Sequence, residues 1–400
     1  MTERLERNLR LIPWHELLVR TNPWIAVFIL FTRSNFDLDG AIRLAGIYYL
    51  CVVVFEVPSG WMSDRLGRAL TLRVAGAAWV LCHLCFILGA ESFAIVAAGQ
   101  ALLALGYASM SGTDVTFHFD TLEALGRQSE YGERQARVAS RGLIFGGAGA
   151  LLGGALGLAD LRLAFVASMT LAVMQFVLAM RFSEPPHAQE TAGLFRQIGE
   201  CLAYLRRISL AWIFAYGIAM VVLEHVAFTL LQPWLTEALD KTPNELGNTP
   251  LLSGALIAGV SLVGAAFARS SMRMSRTFGL KTTLVGLGAL SAVIVSTMAG
   301  STSIAVIAVI AFRSAQGSAS PVLISAAVAP QLEQRHRATF LSLDSLAGRL
   351  SYGTILLFVA TDIDDDVAAG LTRLSIISWV LVAATALSAI LVHRHDVSDA

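Results

Sequence analysis

Apolar stretches of about 20 residues, long enough to cross a hydrocarbon layer of about 30 Å, recur along the chain with short polar, glycine or proline punctuation between them. They predict helices near residues 12–32, 41–62, 70–90, 93–117, 141–158, 161–181, 209–235, 250–269, 281–299, 303–327, 340–360 and 372–393. These are twelve spans in two sets of six. Between the sets, Ser183-Glu184-Pro185-Pro186-His187 opens a polar segment that runs through Arg207. Its proline pair and charges cannot continue a membrane helix. The expected organisation is an N-terminal six-helix bundle over 1–182, a linker over 183–208 and a C-terminal six-helix bundle over 209–400.

Composition points the same way. The 400 residues are 56% hydrophobic and 14% charged, with mean hydropathy +0.66, far from the charged quarter of a soluble domain. Residues 1–10 are charged, and the apolar run after them lacks a small-residue cleavage site, so no cleavable leader is expected. Cys51, Cys82, Cys85 and Cys201 fall in or beside predicted spans, which argues against a disulfide framework. A net charge of zero excludes an electrostatic nucleic-acid binder. Basic residues sort by side: twenty-one of the 29 Lys and Arg fall on the side of the termini and linker and five on the other, leaving Arg20, Arg313 and Arg349 within spans. That bias predicts cytoplasmic termini, and an even number of spans agrees.

Two echoes relate the halves, as in transporters built from repeats. Glu133-Arg134-Gln135-Ala136-Arg137 recurs as Glu333-Gln334-Arg335-His336-Arg337, and the stretch Leu66 to Leu72 as Phe278 to Leu284. In the second echo Asp64 is replaced by Arg276. The strongest single motif is Gly60-x-x-x-Asp64-Arg65-x-Gly67-Arg68, led by Glu56-Val57-Pro58-Ser59, which reads as a tight turn between the second and third spans.

This motif and the layout over the whole chain resemble the major facilitator superfamily of secondary transporters. Arg337-Ala338-Thr339-Phe340-Leu341-Ser342-Leu343-Asp344-Ser345-Leu346 is similar to the start of the eleventh helix in bacterial efflux-type members. The resemblance implies an all-α integral membrane fold, with twelve transmembrane helices in two pseudo-symmetric bundles around a cavity that opens alternately to each side. It also implies that the first, fourth, seventh and tenth helices line that cavity, and that an acid at the end of the fourth pairs with the last arginine of the motif. Asp120 is the first candidate partner of Arg68 and Asp114 the next. Gating is therefore assigned to Glu56, Gly60, Asp64, Arg65, Gly67, Arg68, Asp114 and Asp120, concentrated in the N-terminal half. Antiporter members carry Gly-Pro-x-x-Gly-Gly in the fifth helix; here Gly149-Ala150-Leu151-Leu152-Gly153-Gly154 keeps the glycines and lacks the proline. Small residues of this kind let helices approach closely.

Ionisable residues inside spans are costly and mark functional positions by default. Glu224 lies roughly 16 Å and Arg313 roughly 15 Å below the outer surface by helical rise. They are expected to face each other across the cavity, with Glu224 as a coupling carboxylate that takes and releases a proton. His225 lies about 100° around the helix from Glu224 and is a secondary candidate. In the first span Glu16 and Arg20 can pair at i, i+4, and Asn22-Pro23 marks a bend. The expected substrate and proton site is therefore Glu224, Arg313, Arg20, His225 and Asn22.

Metal chemistry has no support. Cys82-His83-Leu84-Cys85 sits in mid-span without further ligands, and Asp362, Asp364, Asp365 and Asp366 lack the glycine hinge and distal glutamate of a calcium loop. No cofactor is expected. A membrane enzyme would need a nucleophile, a base and an orienting group together, and no such set is present; a transporter-fold sensor would need a soluble domain. The expected function is proton-coupled export of small amphipathic organic compounds by a monomer in a bacterial inner membrane. The alternative is movement of a small organic anion, in either direction, on Arg20 and Arg313. The expected partners are a small-molecule substrate, protons and the lipid bilayer.

Overall fold

The computed structural model describes residues 2–36, 38–186, 193–229, 234, 250–303, 306–359 and 367–398. Its helices are α1 (Thr2–Arg20), α2 (Phe28–Asn35), α3 (Leu38–Leu66), α4 (Arg68–Leu88), α5 (Phe93–Met110), α6 (Thr113–Glu123), α7 (Tyr131–Gly157) and α8 (Leu161–Ala179) in the N-terminal half. They continue as α9 (Leu194–Ala203), α10 (Ile208–Thr229), α11 (Pro250–Phe278), α12 (Leu280–Gly300), α13 (Val306–Ile310), α14 (Ser314–Val328), α15 (Arg337–Val359) and α16 (Val367–Ser398). Among the described residues no strand is present, and nine helical stretches are long and apolar enough to cross a membrane. Lys241 and the acidic stretch at Asp362, Asp364, Asp365 and Asp366 lie outside the described residues.

Several helices outrun the apolar stretches that predicted them. The third element runs to Leu66, and α7 starts at Tyr131, ten residues before the expected span. Hydropathy reads the lipid-crossing part, whereas Glu, Arg, Gln and Ala sustain a helix beyond it. The first span is split by a 3-10 turn at Pro23–Ala26, because proline cannot donate to the preceding turn. The fourth breaks between α5 and α6 at Ser111 and Gly112, and the tenth carries a 3-10 turn at Ala311–Arg313.

Two expectations need correction here. The stretch from Gly60 to Arg68 is helical, not a loop: α3 ends at Leu66, α4 begins at Arg68, and Gly67 alone departs from helical geometry, with φ at +110°. A side chain is strained at that angle, so the connection needs glycine. The linker is also not merely polar. It folds back into α9, a helix that buries Gln197 and Cys201 and exposes Phe195.

Each half has its own apolar core. In the first, Trp24, Phe31, Phe86 and Phe165 interlock; in the second, Trp212, Tyr216, Leu284 and Leu323 do so. The halves meet along α7 against α11 and α3 against α15. Glycines set those distances. A Cβ at Gly153 would collide with the Pro23 carbonyl, and one at Gly154 would lie 2.9 Å from Leu251 Cα. The glycines of the fifth span therefore serve two interfaces, one onto the first helix and one onto the other half.

Gly153→Ala is expected to destabilise the protein by about 1–3 kcal/mol, the usual range for overpacking. Gly286→Ala, where a Cβ meets nothing within 4 Å, is expected to be neutral or stabilising by up to about 1 kcal/mol. Thermal unfolding of both variants in the same detergent checks the contrast.

Candidate functional site

The most densely bonded polar cluster lies at the end of the bundle that carries α9. The Asp64 carboxylate comes from the last turn of α3 and is fully buried. It accepts from the backbone N–H of Ala338 at 3.2 Å and of Thr339 at 2.8 Å, and from Thr339 Oγ1 at 2.7 Å. These two amides sit in the first turn of α15, where a helix leaves its N–H groups without internal partners. Asp64 thus caps a helix of the opposite half, and its negative charge suits the positive end of that helix dipole.

Arg68 neutralises the arrangement. Its Nη2 lies 3.0 Å from Asp64 Oδ1, its Nε lies 3.0 Å from Asp120 Oδ2, and Nη2 also donates to the Gln334 carbonyl across the divide. Arg337 answers from the second half: Nη1 reaches Asp120 Oδ1 at 2.5 Å and Glu123 Oε2 at 2.6 Å, while the guanidinium lies over Phe119. Two buried arginines therefore face two buried aspartates, with Glu123 at the rim. Removing one member of such a set leaves a buried charge uncompensated, at a cost of about 3–5 kcal/mol.

The connecting segment belongs to the same unit. Gln197 of α9 donates to Asp64 Oδ2 at 3.2 Å, the Arg335 carbonyl at 2.9 Å and Thr339 Oγ1 at 2.9 Å. Glu184 accepts from the first amides of α4, at Arg68 and Ala69, at 2.8 and 2.7 Å. Beside them His336 contacts Glu200 at 3.1 Å and Tyr204 at 3.0 Å. Hydrogen bonds from Arg196 and His336 hold the Glu200 carboxyl below the usual carboxylate range.

Other expected gating residues sit apart. Arg65 stacks on Trp61 at 5.0 Å. Glu56 is buried higher up, accepting from Ser111 Oγ at 2.5 Å and standing 4.0 Å from Arg349 of α15. Gly60 allows that closeness, since its Cβ would lie 2.9 Å from Ser342 Cβ. Asp114 does not approach Arg68; it acts electrostatically on Glu16 and Arg20, because the break at Gly112 re-aims the helix that carries it. The second half also contributes a charge contact between the halves. Arg276, which stands where the echo lost its acid, pairs with Glu133 of α7 at 2.6 Å, but both side chains are exposed.

Of the mid-bundle candidates, Glu224 lies on α10 and Arg313 in the turn that leads into the adjoining α14. Glu224 packs helix to helix against α14, where a Cβ at Gly317 would lie 2.6 Å from its Cδ, and its charge acts on Arg313 one turn earlier. The small residue leaves room for the carboxylate against the neighbouring helix. Glu224 stays exposed and Arg313 partly so. Arg20 pairs with Glu16 at 2.7 Å, with half of its side chain open. Asn22 turns back to the Val19 carbonyl at 2.8 Å, and His225 bonds the Val221 carbonyl and lies against Tyr352. Among the described residues no group of His, Cys, Asp and Glu could hold a metal, and the four cysteines are free.

The family model for the Major Facilitator Superfamily matches residues 17–355. The chain belongs to that superfamily. Among solved structures, a superfamily transporter, FucP, in the outward conformation aligns with TM-score 0.73 at 13% identity, covering 96% of this chain and 99% of that one. A bacterial homologue of the iron transporter ferroportin in the outward-facing state aligns with TM-score 0.72 at 16% identity, covering 96% and 99%. The human organic anion transporter MFSD10 gives TM-score 0.72 at 15% identity with the same coverage. No curated protein matches the sequence. Identities this low establish a shared fold. A Major Facilitator Superfamily chain of this fold is a transporter and not an enzyme.

Within this superfamily member, the sequence motif pointed to Asp64, Arg68 and Asp120 but not to Arg337, Thr339, Gln197, Glu184 or Glu123. Arg337 was visible as one half of the Glu133 to Arg137 echo; Gln197 and Glu184 had no local signal. Cys201 offers a reporter, being fully buried under the His336 carbonyl with Sγ at 3.7 Å. With Cys51 and Cys85 replaced by serine, Asp64→Asn is expected to speed thiol labelling of Cys201 by at least about tenfold, the lower bound set by a single charge-assisted hydrogen bond worth about 1.5 kcal/mol. An unchanged labelling rate would show that Asp64 does not hold the halves together.

Proposed function

We propose that this transporter is a proton-coupled exporter of small amphipathic organic compounds, working by alternating access between a bacterial cytoplasm and the exterior. The observation that carries the proposal is Glu224: a carboxylate in the second half of α10, seated on Gly317 beside Arg313, and still exposed. An acid at that place changes its proton affinity when a neighbouring cation is approached by substrate or water. Proton binding loosens its hold on Arg313, and proton loss restores it. The cluster around Asp64 supplies the mechanical half of the cycle, since it closes one end through bonds that must break before that end can open. In this reading Asp64, Arg68 and Asp120 form the cytoplasmic gate, with Arg65 and Glu56 beside it, and the protein acts as a monomer with both termini in the cytoplasm.

A small organic anion is the second candidate cargo, favoured by the partial exposure of both Arg20 and Arg313. One similar fold is that of a human organic anion transporter, which is a property of that protein.

The test uses purified protein in liposomes, a fluorescent amphipathic cation and, in parallel, a fluorescent organic anion. A gradient of about one pH unit is worth about 1.4 kcal/mol per proton and so drives about tenfold accumulation per proton exchanged. The cation is expected to accumulate, and Glu224→Gln to abolish the dependence on the gradient. Gradient-independent movement by both proteins would refute proton coupling. Accumulation of the anion alone, lost in Arg313→Gln, would select the second cargo.

A further inference from the structure

Asp344 lies two turns into α15, in a stretch that the sequence marks as a helix start without assigning its acid. Its carboxylate occupies the space over Gly217 of α10: a Cβ built at Gly217 would lie 2.6 Å from Asp344 Cγ. Oδ1 is closed off from solvent and has no hydrogen-bond partner among the described residues, although the residue as a whole keeps partial exposure. One turn on, Gly348 packs on Val221 in the same way, with 2.7 Å from a built Cβ to Val221 Cβ. Two close contacts thus press this face of α15 onto α10 and hold the acid between them.

The charged and titratable groups on the packed helices are engaged elsewhere. On α15 itself, Arg349 Nε lies 3.4 Å from Ser345 Oγ of the preceding turn and 4.0 Å from Glu56 of α3. Glu56 of α3 is occupied by Ser111. On α10, Glu224 sits about two turns, roughly 10 Å, from Gly217 and is seated on α14, and His225 lies against Tyr352. Asp344 Oδ1 meets no hydrogen-bond donor among the described residues. A carboxylate without a donor in such surroundings is accommodated at least cost as the neutral acid.

We propose that Asp344 is a second proton-carrying site, separate from Glu224, loaded while α15 is clamped at its N-terminus by Asp64 and emptied when that clamp opens. The proposal rests on the coupled-transport reading above. The clamp and the acid share one helix: Asp64 bonds the amides of Ala338 and Thr339, and Asp344 follows five residues after Thr339. As the halves part, α15 leaves α3 while staying seated on α10, and water reaches the carboxyl along the flank of α15 that had faced α3. The O–H bond of the carboxyl then breaks, its proton passes to water and the charge stays on Asp344; no electron is transferred. Return of the helix reverses the step.

Two measurements on the full-length protein test this. Infrared spectra in lipid nanodiscs at neutral pH are expected to show a neutral-acid C=O band that shifts in D2O, is lost in Asp344→Asn and persists in Glu224→Gln. A band unchanged in Asp344→Asn overturns the proposal. In liposomes, accumulation of the amphipathic cation under a gradient of about one pH unit is expected to fall by about tenfold in Asp344→Asn, the share of one proton. Loss of the band with unaltered accumulation also overturns it, since the acid would then be a fixed structural one. Wild-type protein that ignores the gradient refutes coupled transport as a whole, whereas a responsive wild type with an equally responsive Asp344→Asn refutes this site alone. If Asp344→Asn does not fold, Gly217→Ala, whose methyl group meets the carboxylate, is expected to shift the band and lower accumulation; no effect on either has the same negative meaning.

Discussion

A buried aspartate that caps a helix belonging to the other half of the molecule is the interaction on which this architecture turns. Asp64 has no water to solvate it, so its charge must be met by protein groups. Five donors do this: two backbone amides, a threonine hydroxyl, a glutamine amide and an arginine. Most of them come from outside its own half. The carboxylate is satisfied only while the halves are closed at this end, and opening must find it other partners. That dependence turns a capping interaction into a conformational one.

The neighbouring charges make the closed state tolerable without making it permanent. Asp64, Arg68, Asp120 and Arg337 sum to zero and are fixed by mutual contact. Such a cluster gains little net stability over an apolar packing but is costly to break one residue at a time, which favours moving the halves as rigid bodies. The exposed pair of Arg276 and Glu133 on the other flank is screened by solvent and adds little. The contact between the halves at this end is therefore two-sided in geometry and one-sided in strength.

Deeper in the bundle, acids of the same type are held in three different ways. Glu16 has an arginine one turn away. Glu224 shares a helix contact with Arg313 yet stays exposed. Asp344 faces a glycine, and its Oδ1 meets no hydrogen-bond donor among the described residues. These settings differ in the charge and the space that each acid meets. Gly217 and Gly317 matter as much as the acids, because each vacates the volume that a carboxylate fills.

The class and the two-bundle architecture were legible in the chain alone, since crossing lipid demands long apolar runs and leaves its mark on every segment. The motif from Gly60 to Arg68 was legible for a related reason: the +110° angle at Gly67 is a local demand that restricts residue type at one position. Helix ends were misjudged where polar residues continue a helix past the membrane, as at Tyr131. What the tertiary structure alone decided is which charges meet. Gln197, Glu184 and Arg337 converge on Asp64, Arg68 and Asp120 from separations of more than a hundred residues, Asp114 turns away to Glu16 and Arg20, and Glu224 settles on Gly317. No local pattern encodes these pairings, because they depend on how two bundles and a folded linker dock, and a buried charge takes its meaning from whatever the docking places against it.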